Sequence, residues 1–179
     1  MQPTLLETWT NFYVIVGSSA GALTGLQFVV IALVAEMRAV GSIHEVRAFG
    51  SPTVVHFCAV LFSSAVMAAP WRGVGSAGLG VAFCGGAGVL YTLYSISHAL
   101  RQTGYKPDAE DWFWYEALPL SAYAALLVVG LLVRVRPDGM LFGVAAILLV
   151  LLFTGLHNAW DTVTYVAVSG LRQRREEKR

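Results

Sequence analysis

Five long apolar stretches, joined by short polar links, leave this chain few ways to fold. They run Phe12 to Ala35, Thr53 to Trp71, Ser76 to Ala99, Ala117 to Val133 and Met140 to about Val168. A helix needs about 20 such residues to cross a bilayer. Hydrophobic residues make up 56% of the 179-residue chain and charged ones 13%, about half the roughly 25% of a globular protein. Unpaired backbone groups in lipid permit only helices and closed barrels, and no strand-like alternation supports a barrel. The expected fold is therefore all-α: a polytopic membrane bundle of five transmembrane helices. Residues 1–171 form its single domain and residues 172–179 a basic cytoplasmic tail.

Orientation follows from the basic residues. Alternate links and the tail place Arg38, Arg47, Arg101, Lys106, Arg172, Arg174, Arg175, Lys178 and Arg179 on one side, against Arg72, Arg134 and Arg136 on the other. Basic residues stay cytoplasmic, so the N-terminus is expected outside and the C-terminus inside. The N-terminal MQPTLLETW has no basic side chain, which fits that orientation and not the charged start of a secretory signal. Net charge is +1, and the tail LRQRREEKR alternates basic with acidic residues. This reads as a topology anchor at anionic lipid and not as a nucleic-acid site. Cys58 and Cys84 sit at different expected depths, which argues for two packed thiols and against a disulfide.

Small residues suggest how the helices meet. Gly17, Gly21 and Gly25 recur at spacing four and form a narrow groove where another backbone can approach. The third helix carries a similar row, Gly78, Ala82 and Gly86, the simplest internal partner for the first. Ser51-Pro52 reads as the N-cap and first residue of the second helix. Short links imply antiparallel hairpins of helices two with three and of four with five. The stretch KPDAEDWFWYEALP, with Asp108 as N-cap and a bend at Pro119, reads as an interfacial helix whose belt residues are Trp112, Trp114 and Tyr115.

The residues that do not belong in lipid lie near the end of helix five, in HNAWDTVTY. Thr154, His157, Asn158, Asp161 and Tyr165 fall on one helical stripe. An aspartate at a lipid-facing centre costs about 3 kcal/mol on the insertion scale, so the stripe is expected to face protein. His157 and Asp161, one turn apart, are expected to share a hydrogen bond. Chain direction reverses at every span, which brings Glu36, His56, His98, Glu116, His157 and Asp161 to one membrane side, with Tyr91 and Tyr94 nearby. A buried structural network explains this cluster without any activity. A second reading is permeation or coupling of protons or small ions through a His/Asp vestibule. In a third, His56, His98 and His157 ligate haem iron or a divalent metal, the metal itself being unspecified. From a different class comes an accessory or scaffold protein that binds a membrane partner, or a second copy of itself, through the glycine groove. Walker, Rossmann, HExxH and GxSxG patterns are absent, and catalysis is not expected.

The segments GSSAGALTGLQFVV, PTVVHF, DWFWYEALPL and LHNAWDTVTY resemble those of a group of small multi-pass bacterial membrane proteins. The resemblance covers most of the chain and implies a bacterial inner-membrane location without implying an activity. A fainter likeness is to Orai-type calcium channels, through the glycine-rich first helix ahead of Glu36 and the pair Val55-His56. Five spans would place Glu36 on the cytoplasmic side, with a longer glycine-to-glutamate spacing than in those channels, so no pore residue is carried over from them.

Overall fold

The computed structural model describes the backbone of residues 5–36, 43–100 and 109–176, and the side chains of residues 5–32, 52–100 and 109–164. Asp108 and residues 177–179 lie outside the described residues. So do the side chains of Glu36, Tyr165 and the helical part of the tail.

The described residues form five helical rods and no strand. They are α1 (Leu5–Glu36), α2 (Ile43–Ala68), α3 (Val74–Ala99), α4 (Ala109–Leu132) and α5 (Pro137–Glu176). Four contain segments long and apolar enough to cross a membrane: Leu5–Ala32, Val74–Ala99, Ala109–Leu132 and Pro137–Thr164. The apolar part of α2, Pro52–Ala68, is shorter. Large apolar side chains such as Ile15, Phe28, Phe83, Phe142 and Trp160 stand exposed around the bundle. A surface of that kind matches lipid and not water.

Pro52 lies inside α2 and does not start it, because the helix begins about two turns earlier at Ile43. A proline forgoes one backbone bond and crowds one carbonyl, which is less than is needed to end a helix held by its neighbours. At the other boundaries the turn chemistry works as the sequence suggests. Pro137 opens α5 after a tight turn in which Val135 N–H and Arg136 N–H both bond to Leu132 O. Between α2 and α3, the Trp71 indole N–H donates to Val66 O at 2.6 Å and folds the link back onto α2.

The close seams are not the expected ones. α3 packs most extensively on α4, and α1 on α2; α5 then lies against α2 and α4, while α2 and α3 meet only thinly despite their short link. Small residues decide this. A Cβ on Gly85 would run into the backbone nitrogen of Leu127, one on Gly130 would lie 2.6 Å from the Ala82 nitrogen, and one on Gly78 would lie 2.6 Å from the Gly130 carbonyl. Gly78 and Ala82 thus belong to the α3–α4 seam and are not the partners of the first helix. Gly86 is peripheral, with only the tip of Leu127 at 3.9 Å from its Cβ position. On α1, Gly17 receives Ser64 of α2, with 2.9 Å between the two Cβ positions; Gly21 meets only the tip of Leu61, and Gly25 faces open space.

The contrast between adjacent glycines yields a test. Gly85→Ala drives a methyl into the Leu127 backbone and is expected to destabilise the protein by about 1–3 kcal/mol. Gly86→Ala should stay within about 0.5 kcal/mol of wild type. Thermal unfolding of both variants in detergent would show the difference.

Candidate functional site

The core is built so that one face of α5 carries a continuous buried line: Leu141, Val144, Leu148, Leu151, Thr154 and Asn158. The spacing of three and four residues is that of a helix face turned to its neighbours. Asn158 ends the line with no exposed surface, and neither its amide nitrogen nor its carbonyl oxygen has a hydrogen-bond partner within the protein. Gly155, one turn earlier, lets the Phe57 ring of α2 approach to 2.6 Å from its Cβ position. That contact sets α5 against the buried face of α2, which carries Thr53 and His56.

His56 is 1% exposed, and its Nδ1 shares a 2.9 Å hydrogen bond with the Tyr123 hydroxyl of α4. The Tyr123 ring occupies the space left by the missing side chain of Gly88 on α3. His56 Nε2 and Thr53 Oγ1 are buried and unpaired. These groups come from helices far apart in sequence, so neither Tyr123 nor Thr53 stood out as a site residue beforehand.

A second polar group lies on the α3–α4 seam. Glu116 is 8% exposed; Ser95 Oγ donates to its Oε1 at 2.9 Å, while Oε2 is buried and unpaired. Tyr91 lies within electrostatic range of Glu116, and Tyr123 within range of Tyr91. Ser95 with Glu116 and His56 with Tyr123 are thus two hydrogen-bonded pairs, with Tyr91 near both. Local backbone geometry places Glu116 there. Residues Trp112–Ala117 form a π-helical turn, and Leu118 N–H bonds to Phe113 O, five residues back. Pro119 follows and cannot donate. A wide turn just ahead of a proline relieves the clash between its ring and the carbonyl one turn back.

The stripe on α5 is split. Thr154 and Asn158 face protein, His157 is half-buried, and Asp161 is exposed. His157 stacks on Trp114 with ring centroids 3.9 Å apart, and Tyr115 OH donates to Asp161 Oδ2 at 3.4 Å. The expected bond between His157 and Asp161 is replaced by these contacts with α4. Trp114 and Tyr115, read as headgroup anchors, are therefore also the surface on which α5 rests; Trp112 is half-buried beside them. Asp161 lies about one turn beyond Asn158, the last buried residue of the line.

His98 is exposed and stacks with Tyr94 on its own helix at 6.3 Å. His56, His98 and His157 have different neighbours, and no group of three His, Cys, Asp or Glu side chains among the described residues is arranged to hold one metal ion. The three imidazoles do not converge as the metal reading requires.

Compared with known proteins, the chain matches no family model, no curated protein and no solved structure.

His56 and Tyr123 bury a matched pair, so removing either side chain orphans the other. His56→Phe and Tyr123→Phe are each expected to cost about 1–3 kcal/mol. The double variant should cost less than the sum, and a thermal-unfolding double-mutant cycle would measure the coupling.

Proposed function

We propose that the protein is a five-span membrane protein that couples or conducts protons or small cations through the polar groups near its buried Glu116. On this reading α2 is the fifth span, made short by the polar residues at its start. On the same reading the nine-to-three split of basic residues favours an external N-terminus and a cytoplasmic C-terminus, in the bacterial inner membrane that the resemblance implies. A C-terminal green fluorescent fusion should then fluoresce, and a C-terminal alkaline phosphatase fusion should be inactive.

One observation carries the functional reading. Among the described residues Glu116 is the one buried carboxyl, and half of it lacks a protein partner. An ionisable group inside a membrane helix is costly and tends to mark an ion or proton path. Around it stand hydroxyls and an imidazole that can each give and take a proton: Ser95, Tyr91, Tyr123 and His56. The imidazole bonds through Nδ1 while Nε2 is open to a second partner, the arrangement by which a histidine passes a proton from one side to the other. This shifts the centre of the reading from Asp161 to Glu116, since Asp161 is exposed and bonded to the belt.

The second reading, an accessory protein that docks through the first helix, draws on the outward part of the glycine row. Gly25 is open, while Gly17 is already occupied by Ser64.

Proton and cation flux into proteoliposomes distinguishes the two. Glu116→Gln should reduce flux at least tenfold, with Asp161→Asn within twofold of wild type. Equal flux in wild type and Glu116→Gln, or none in wild type, would remove the permeation reading.

A further inference from the structure

α2 and α5 meet where the Phe57 ring lies 2.6 Å from the Cβ position of Gly155. The chain reverses direction three times between the two helices, so they run antiparallel. Thr53 lies one turn before Phe57 on α2, and Asn158 lies about one turn after Gly155 on α5. The two residues therefore stand at one level on facing helices. Both are fully buried, and His56, next to Phe57, is 1% exposed. Four polar atoms at or beside this level have no hydrogen-bond partner among the described residues: Thr53 Oγ1, His56 Nε2, and Nδ2 and Oδ1 of Asn158. Other buried threonines behave differently. Thr92 and Thr154 each donate to the carbonyl four residues back on their own helix, at 2.9 and 2.8 Å. The Thr53 hydroxyl makes no such bond and is left for another partner.

We propose that α2 and α5 hold ordered internal water between Asn158, Thr53 and the Nε2 side of His56. The mixture of donors and acceptors selects that ligand. Asn158 offers two hydrogens and an oxygen, Thr53 a hydroxyl that can give or take, and His56 a ring nitrogen. A metal cation would meet the amide hydrogens and an anion would meet the amide oxygen, whereas water both donates and accepts. Complete burial of the three residues closes the site to lipid chains and to larger solutes. Buried waters settle at otherwise unsatisfied polar groups of this kind, making about three hydrogen bonds each. The imidazole then bridges the Tyr123 hydroxyl on Nδ1 and water on Nε2, and the amide that ends the buried line of α5 becomes a water ligand. Water is held there whether or not Glu116 conducts.

The test uses the full chain in lipid bilayers, carrying Asn11→Ser at an exposed position, which leaves Asn158 as the one asparagine to take a 15N-asparagine label. Proton-detected solid-state NMR should show magnetisation passing from water to the Asn158 side-chain amide despite its burial. Thr53→Val then removes the hydroxyl while keeping the shape of the side chain. A hydroxyl that binds water is missed, and the unfolding midpoint should fall by about 2–4 °C; removing a bare hydroxyl would leave the midpoint unchanged or raise it. The proposal is overturned if no magnetisation reaches the Asn158 amide from water, or if the Thr53→Val midpoint equals or exceeds that of wild type. If Thr53→Val fails to fold, the NMR measurement decides alone.

Discussion

The arrangement depends on backbone meeting backbone along α3 and α4. Where Gly78, Gly85 and Gly130 stand, the two helices are so close that a single methyl would collide with main-chain atoms. Between helices in lipid there is no hydrophobic gain from association, because lipid tails are as apolar as the side chains. Contact area and close packing must hold the pair. A seam of glycines supplies both and draws α3 onto α4. The consequence is felt on the opposite side of α3, which is left in thin contact with α2 even though only a short link joins them.

From that seam the polar site follows. The same closeness puts the Tyr123 ring over Gly88, which aims the hydroxyl at His56. Further along, the π turn at Trp112–Ala117 sends neighbouring residues to different helices: Trp114 and Tyr115 to α5, and Glu116 to Ser95 of α3. A π turn shifts the facing of the chain by about one residue, and π turns of this kind recur at functional sites. The proline two residues after the turn explains why the local sequence adopts it. The buried carboxyl is thus held in place by an irregular backbone as well as by its one hydrogen bond.

Much of the helical framework was legible in the apolar runs, and the polar character of one end of the bundle was legible in the alternation of chain direction. Helix partners were not. Small-residue rows reveal which face of a helix is smooth, but Gly78 and Ala82 fit α1 and α4 equally well on paper. Only the matching gap at Gly130 decides, and a single glycine within LLVVGLLV gives little signal. Pro52 shows the converse: a proline that suits a helix start by local rule lies inside α2. On α5, periodicity identified the stripe but not where the bundle ends. Asn158 therefore fell inside and Asp161 outside, although the two are neighbours on the same face.

That last distinction reorders the chemistry. A charged residue is the conspicuous feature in an apolar sequence, yet the exposed Asp161 has the freedom to meet headgroups, water and Tyr115. Asn158, Thr53 and His56 have no such freedom: each buries a polar atom that the protein itself does not satisfy. Leaving a buried amide or hydroxyl bare costs about 1–3 kcal/mol by protein mutational measures. Several such groups at one end of a bundle this small would consume a sizeable part of the 5–15 kcal/mol of stability usual for a folded domain. A chain that needed only to pack would place leucine at these positions and be more stable for it. Their presence in the same small bundle as the buried Glu116 carboxyl supports the proposed role in moving protons or ions over packing alone.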